Sequence, residues 1–87
     1  MSKNPVKQEL ERHIGRHVRL LRTERSLSLE DLAGITNVSL THISNIERGK
    51  SSMTPFTQMK IAKGLNLAHP NELTNKAFDL VYSSYDF

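Results

Sequence analysis

"TNVSLTHISNIERGK", Thr36 to Lys50, carries the most informative local pattern in the chain. Ser39 is a favoured N-cap residue, Ile43 and Ile46 lie three apart, and Gly49 follows as a helix stop. A short helix is predicted from Ser39 to about Arg48. The face opposite the isoleucines is unusual. Where a solvated helix carries Lys and Glu, this one carries Leu40, Thr41, Ser44 and Asn45. A row of short, mostly uncharged side chains suits a helix laid against another ordered surface.

Immediately upstream, "SLSLEDLAGITN" predicts a second helix. Ser28 is its N-cap and Asp31 stands three residues on, a capping-box spacing with Asp in place of Glu. Glu30 and Asp31 complement the dipole of the first turn. Asn37 ends the helix, because asparagine tolerates the left-handed conformation of a sharp turn. Only "TNVS" joins the two helices, flanked by apolar anchors at Leu32, Ala33, Val38, Ile43 and Ile46. A connection that short forces the helices to cross steeply, with Ala33 read as the small residue that permits close approach. This is the helix-turn-helix arrangement, whose second helix fits the width of a DNA major groove.

Further upstream, Val6, Leu10, Ile14, Val18 and Leu21 repeat at helical spacing from about Pro5 to Arg25. Arg12, Arg16 and Arg19 fall on the solvated side; Arg22 and Arg25 lie near the helix end, in reach of a phosphate. Downstream, Thr54 and Pro55 open a fourth helix with Phe56, Met59, Ile61, Ala62 and Leu65 available to the core. Asn71 is read as the cap of a last helix bearing Leu73, Ala77, Leu80 and Val81, and "YSSYDF" as a frayed tail. Five short helices and no strand give an all-α fold. Residues 1–69 form the helix-turn-helix domain, and residues 70–87 a C-terminal helix and tail.

The chain has 87 residues, room for one small core. Residues 1–69 hold eleven Lys or Arg against six acids, and residues 70–87 one Lys against three. A basic body with a sequence pI near 9.5 suits a polyanionic partner. Cysteine is absent, which excludes a disulfide framework or thiolate metal site and points to a reducing, cytoplasmic setting. No apolar run suggests a membrane span. His13 and His17 are four apart, a spacing that can bind metal, but nothing is placed to complete a site. They are read as helix-flank residues, and His69 as isolated. No nucleophile-base order, glycine-rich phosphate loop or carboxylate pair stands out. The expectation is a binding protein, not an enzyme, with no cofactor and no metal.

The string "LLRTERSLSLEDLAGITNVSLTHISNIERGKSSMTPFTQMKIAKGLNL" resembles the Cro/phage-repressor type of helix-turn-helix domain, the XRE family, from about Ile14 to Leu67. "LR", "LA", "VS", "IS" and "IERGK" stand in that family's order. The resemblance implies a five-helix, lambda-repressor-like fold and an ion pair between Arg22 and Glu47 that leaves Arg22 able to reach a phosphate. It places base-facing positions at Ser39, Leu40, Thr41 and Asn45, flanked by His42 and Ser44. Phosphate-gripping positions fall on Arg48, Lys50, Ser51 and Ser52. Backbone N–H groups near Ser28 and Thr54 are further phosphate candidates, at helix starts. Leu29 departs from the family's usual Gln at the first position of helix 2, and Asn37 from its usual Gly in the turn.

Chemistry assigns the candidates their tasks. Asn45 can donate to N7 and accept from N6 of adenine, Thr41 can bond a base edge, and Leu40 can pack on thymine methyls. Lys50, Arg48 and Ser51 suit phosphates. Phe78, Tyr82, Tyr85 and Phe87 crowd the C-terminal segment. They are read either as a cover for helix 1 or as a contact with a second copy, and the resemblance favours a dimer on a palindromic operator in double-stranded DNA. The expected function is a sequence-specific transcriptional regulator, a repressor by occupancy. The rival reading is an antitoxin or other protein-interaction module that binds DNA weakly and holds a protein partner through the C-terminal helix.

Overall fold

The computed structural model describes residues 4–86, which form α1 (Pro5–Glu24), α2 (Leu29–Thr36), α3 (Leu40–Glu47), α4 (Pro55–Gly64) and α5 (Asn75–Val81). Single 3₁₀ turns cover Pro70–Leu73 and Tyr82–Ser84. No strand occurs among the described residues. The local signals set the boundaries. The Ser28 hydroxyl accepts from the Asp31 N–H at 2.9 Å, and the Asp31 carboxylate accepts from the Ser28 N–H at 2.9 Å. Asn37 takes the left-handed conformation at φ 57° and turns the chain from α2 into α3.

Val18, Leu32, Val38, Ile43, Ile46, Ile61, Ala62, Leu65 and Leu73 form one core to which α1, α2, α3 and α4 all contribute. Two glycines let the helices approach. A β-carbon on Gly15 would stand 2.1 Å from the backbone oxygen of Ile46, so α1 meets the end of α3 backbone to backbone. On Gly64 it would stand 2.4 Å from Cγ2 of Thr36, where α4 meets α2. Ala33 is partly buried and packs against this core. Thr36, buried in the turn, is satisfied locally: its hydroxyl donates to the Leu32 carbonyl at 2.7 Å and accepts from the Val38 N–H at 3.3 Å.

Several expectations are corrected here. On α4 the buried stripe is Ile61, Ala62 and Leu65, which puts Phe56 and Met59 on the opposite face, 64% and 46% exposed. Helical periodicity forces this: Phe56, Met59, Lys60 and Lys63 share one side. The turn at residues 70–73 is capped by His69, whose Nδ1 accepts from the Asn71 N–H, so Asn71 does not begin α5. Leu80 is 61% exposed, while Ala77 and Val81 hold α5 against α1. Residues 82–84 form a turn where fraying was expected, and Phe87 lies outside the described residues. Arg25 also serves the fold. Its Nε donates to the Leu65 carbonyl at 2.7 Å and its Nη1 to the Leu21 carbonyl at 2.8 Å, closing the C-terminal end of α4.

Candidate nucleic-acid interface

The interface is built on α3. Ser39 caps it, its hydroxyl accepting from the His42 N–H at 3.1 Å. Ile43 and Ile46 are buried beneath, which fixes the rotation of the helix and turns the other face outward. Leu40 is 41% exposed; Ser39 and Thr41 are exposed; His42, Ser44 and Asn45 are half-buried along the same ridge. The protein's own atoms do not enclose this edge. Helical spacing aligns Thr41, Ser44, Asn45 and Arg48 in one stripe.

Behind the ridge stands Arg22, drawn inward. Its Nε donates to Oε2 of Glu47 at 2.7 Å, its Nη2 to Oε1 at 3.0 Å, and its Nη1 to the Leu27 carbonyl at 2.7 Å. The two side chains are 10% and 6% exposed. Hydrogen bonding to Glu47 raises the guanidinium pKa above its ordinary value, against the opposing effect of burial. The ion pair implied by the resemblance is present. It makes Arg22 a brace between α1 and α3 and leaves the residue 8% exposed.

The remaining phosphate candidates differ in what they have free. Arg48 and Lys50 are exposed, and Ser51 is half-buried beside them. The Ser52 hydroxyl donates to the Glu11 carboxylate, which also pairs with Lys7 at 3.4 Å. Hydroxyls of Ser28 and Thr54 act as caps, Thr54 accepting from the Thr57 N–H at 3.1 Å. The side chains of Ser28, Ser52 and Thr54 are thus already engaged within the protein. Asn45 is engaged too: its amide oxygen accepts from Nη2 of Arg48 at 2.7 Å.

The sequence reading overlooked Lys60. Its Nζ donates to the Asn37 carbonyl at 3.2 Å and stands 5.3 Å from the centre of the Phe56 ring, which sets a cation beside the turn between α2 and α3. No local signal identifies it, because the turn and Lys60 meet only through the packing of α4 on α2. The Asn45–Arg48 contact did have a signal, the three-residue helical spacing. Among the described residues no His, Asp and Glu cluster could hold a metal ion, and no helix is long and apolar enough to cross a membrane.

A helix pair joined by a short turn at Asn37, its second member open to solvent along a row of small polar groups and flanked by cations, defines a helix-turn-helix protein. The chain belongs to the XRE-type family of DNA-binding transcriptional regulators: the helix-turn-helix family HTH_3 matches residues 18–73, from within α1 to the turn before α5. It is 36% identical over 78 residues to the HTH-type transcriptional regulator SutR of Escherichia coli K12, covering 83% of this chain and 44% of that one. It is 35% identical to the control protein C.SmaI of Serratia marcescens, covering 72% and 75%. The crystal structure of the restriction-modification controller protein C.AhdI from Aeromonas hydrophila superposes with a TM-score of 0.70 at 30% identity, covering 72% of this chain and 94% of that one. The chain thus spans less than half the length of the E. coli regulator and three quarters of C.SmaI. The membership carries a regulatory class and no catalytic one.

Proposed function

We propose that this chain binds double-stranded DNA in a sequence-specific manner and regulates transcription as a repressor, by occupying its operator. The observation that carries the reading is the open ridge of α3: Leu40, Thr41 and Asn45 face outward while Ile43 and Ile46 anchor the helix from behind. Ser39, Leu40, Thr41, His42, Ser44 and Asn45 form the base-facing set. Lys50 and Ser51 grip phosphates with the N–H groups at the starts of α2 and α4, and Arg48 stands where the two sets meet.

Two copies act together on a palindromic site. Leu80 of α5 and Leu20 of α1, 61% and 47% exposed, lie together on one flank of α5, and Phe78 and Tyr82, 47% and 77% exposed, lie on the other beside the start of α1. Exposed apolar groups on both flanks of α5 favour burial against a second copy. A protein-interaction module of the antitoxin kind would use the same apolar face for a foreign partner, but it gives no reason for the open ridge of α3.

Selection from a random duplex pool tests the reading, with the mass of the complex measured in parallel. The expected result is one enriched sequence, repeated as two half-sites about 34 Å apart and bound by two chains. A pool that stays random, or a single half-site bound by one chain, would overturn the sequence-specific or the dimeric part respectively.

A further inference from the structure

We infer that Arg48 reads a guanine and that Asn45 positions it, so that the two act as one unit at the C-terminal end of the recognition ridge. The inference rests on the DNA-binding reading above and assigns to its site a base preference. Arg48 follows the last residue of α3, and helical side chains lean back toward the N-terminal turn. Its guanidinium accordingly lies over the helix. Nη2 donates to the Asn45 amide oxygen at 2.7 Å, and Nε makes a longer 3.4 Å contact with the Ser44 carbonyl. One edge of the guanidinium is therefore fixed to α3. That leaves both Nη1 hydrogens and the second on Nη2 outside these two contacts, on a residue that shares the helical stripe of Thr41 and Ser44.

Three features separate this from a phosphate contact made by a loose surface arginine. The side chain is held at two points, which lowers the ordering entropy that a long arginine otherwise loses on binding. Its charge is not neutralised: among the described residues it has no carboxylate partner, because the adjacent Glu47 is engaged by Arg22. Finally, a planar pair of parallel N–H donors matches the O6 and N7 acceptors of guanine in the major groove. Asn45, by contrast, turns its amide oxygen to Arg48. An adenine fork needs that oxygen aimed outward beside the amino group, which the observed contact opposes.

The test compares the wild type, Asn45→Asp, Asn45→Ala, Arg48→Lys and Arg48→Ala by random-duplex selection, followed by titration of the selected site and of the same site with one pair changed. Circular dichroism confirms that each variant keeps its helix content. The wild type is expected to prefer guanine at one pair of each half-site by about tenfold. Asn45→Asp retains the acceptor for Arg48 and loses the amino group, so it should bind all sequences more weakly and keep the guanine preference. Asn45→Ala should narrow that preference several-fold. Arg48→Lys keeps the charge but not the fork, so its loss should fall on the guanine-bearing site far more than on random DNA, while Arg48→Ala should lose the preference and weaken random DNA as well.

An adenine preference that disappears in Asn45→Asp would overturn the inference in favour of direct reading by Asn45. So would Arg48 variants that weaken every sequence by one common factor. Either result leaves an enriched operator and the proposed function intact, whereas a pool with no enriched sequence sinks both.

Discussion

Glu47, the last residue of α3, is gripped by Arg22 of α1 in a two-pronged ion pair of 2.7 and 3.0 Å, one residue before the exposed Arg48. The pair links the first helix to the end of α3 and engages the one carboxylate that α3 contains. Two consecutive residues thus divide the work, one facing the scaffold and the other facing out.

Breaking that brace strands a charge. Glu47→Ala leaves the Arg22 guanidinium almost enclosed without its partner, and stability should fall by about 3 kcal/mol. Glu47→Gln preserves an acceptor and should lose less. Replacing both, as Arg22→Met with Glu47→Leu, should recover much of the loss. Urea denaturation of the four proteins measures this, and a loss below about 1 kcal/mol in Glu47→Ala would show that water reaches Arg22 freely.

Two glycines should respond to alanine with opposite signs. A β-carbon at Gly15 would meet the Ile46 and Glu47 backbone oxygens at 2.1 and 2.7 Å, and backbone cannot step aside as a side-chain tip can. Gly15→Ala should cost about 2 kcal/mol or more. At Gly34, within α2, a β-carbon meets nothing within 4 Å. Gly34→Ala should therefore raise stability by about 0.5–1 kcal/mol through helix propensity. Thermal midpoints of the two variants, read side by side, check the pair of signs.

Acid should weaken the start of α2. Hydrogen bonds from the Ser28 backbone N–H and hydroxyl hold the Asp31 carboxyl below its ordinary pKa. A carboxylate favoured in the folded state contributes stability that is fully present above the unfolded value, about 3.9, and is lost as pH falls through the lower folded value. Wild type and Asp31→Asn, followed by urea unfolding from pH 7 to pH 2, should differ at neutral pH and converge toward the acid end. A gap that stays constant would mean that the cap does not depend on the charge.

Lys50 should supply affinity without discrimination. It is exposed in the loop after α3, beside Ser51. Lys50→Ala should weaken binding to selected and random duplexes by the same factor and flatten the salt dependence by roughly one unit. Titrations at several salt concentrations on both duplexes decide this; unequal losses would place Lys50 against a base.

The starts of α2, α3 and α4 were legible in the sequence because each depends on partners a few residues away, whereas α5 has no side-chain cap to announce it. Ser28 finds Asp31, Ser39 finds the His42 N–H, and Thr54 finds the Thr57 N–H, all at a separation of three. The buried isoleucines of α3 were legible for a related reason, since a periodic apolar stripe declares which side of a helix turns inward. Where periodicity was read too loosely, as with Phe56 and Met59, the expectation of burial failed.

By itself, then, the sequence determined the order of the helices, the turn at Asn37 and the outward row of Leu40, Thr41, Ser44 and Asn45. Only the tertiary structure decided that Arg22 is an internal brace to Glu47, 25 positions away, and that Arg25 seals the end of α4, 40 positions away. It alone brought Lys60 to the α2–α3 turn and revealed that neighbouring segments leave no room for a β-carbon at Gly15 or Gly64. Capping and periodicity are properties of neighbours along the chain. An arginine carries the same donors whether it points to solvent, a carboxylate or a carbonyl, and the packing of distant helices selects among them.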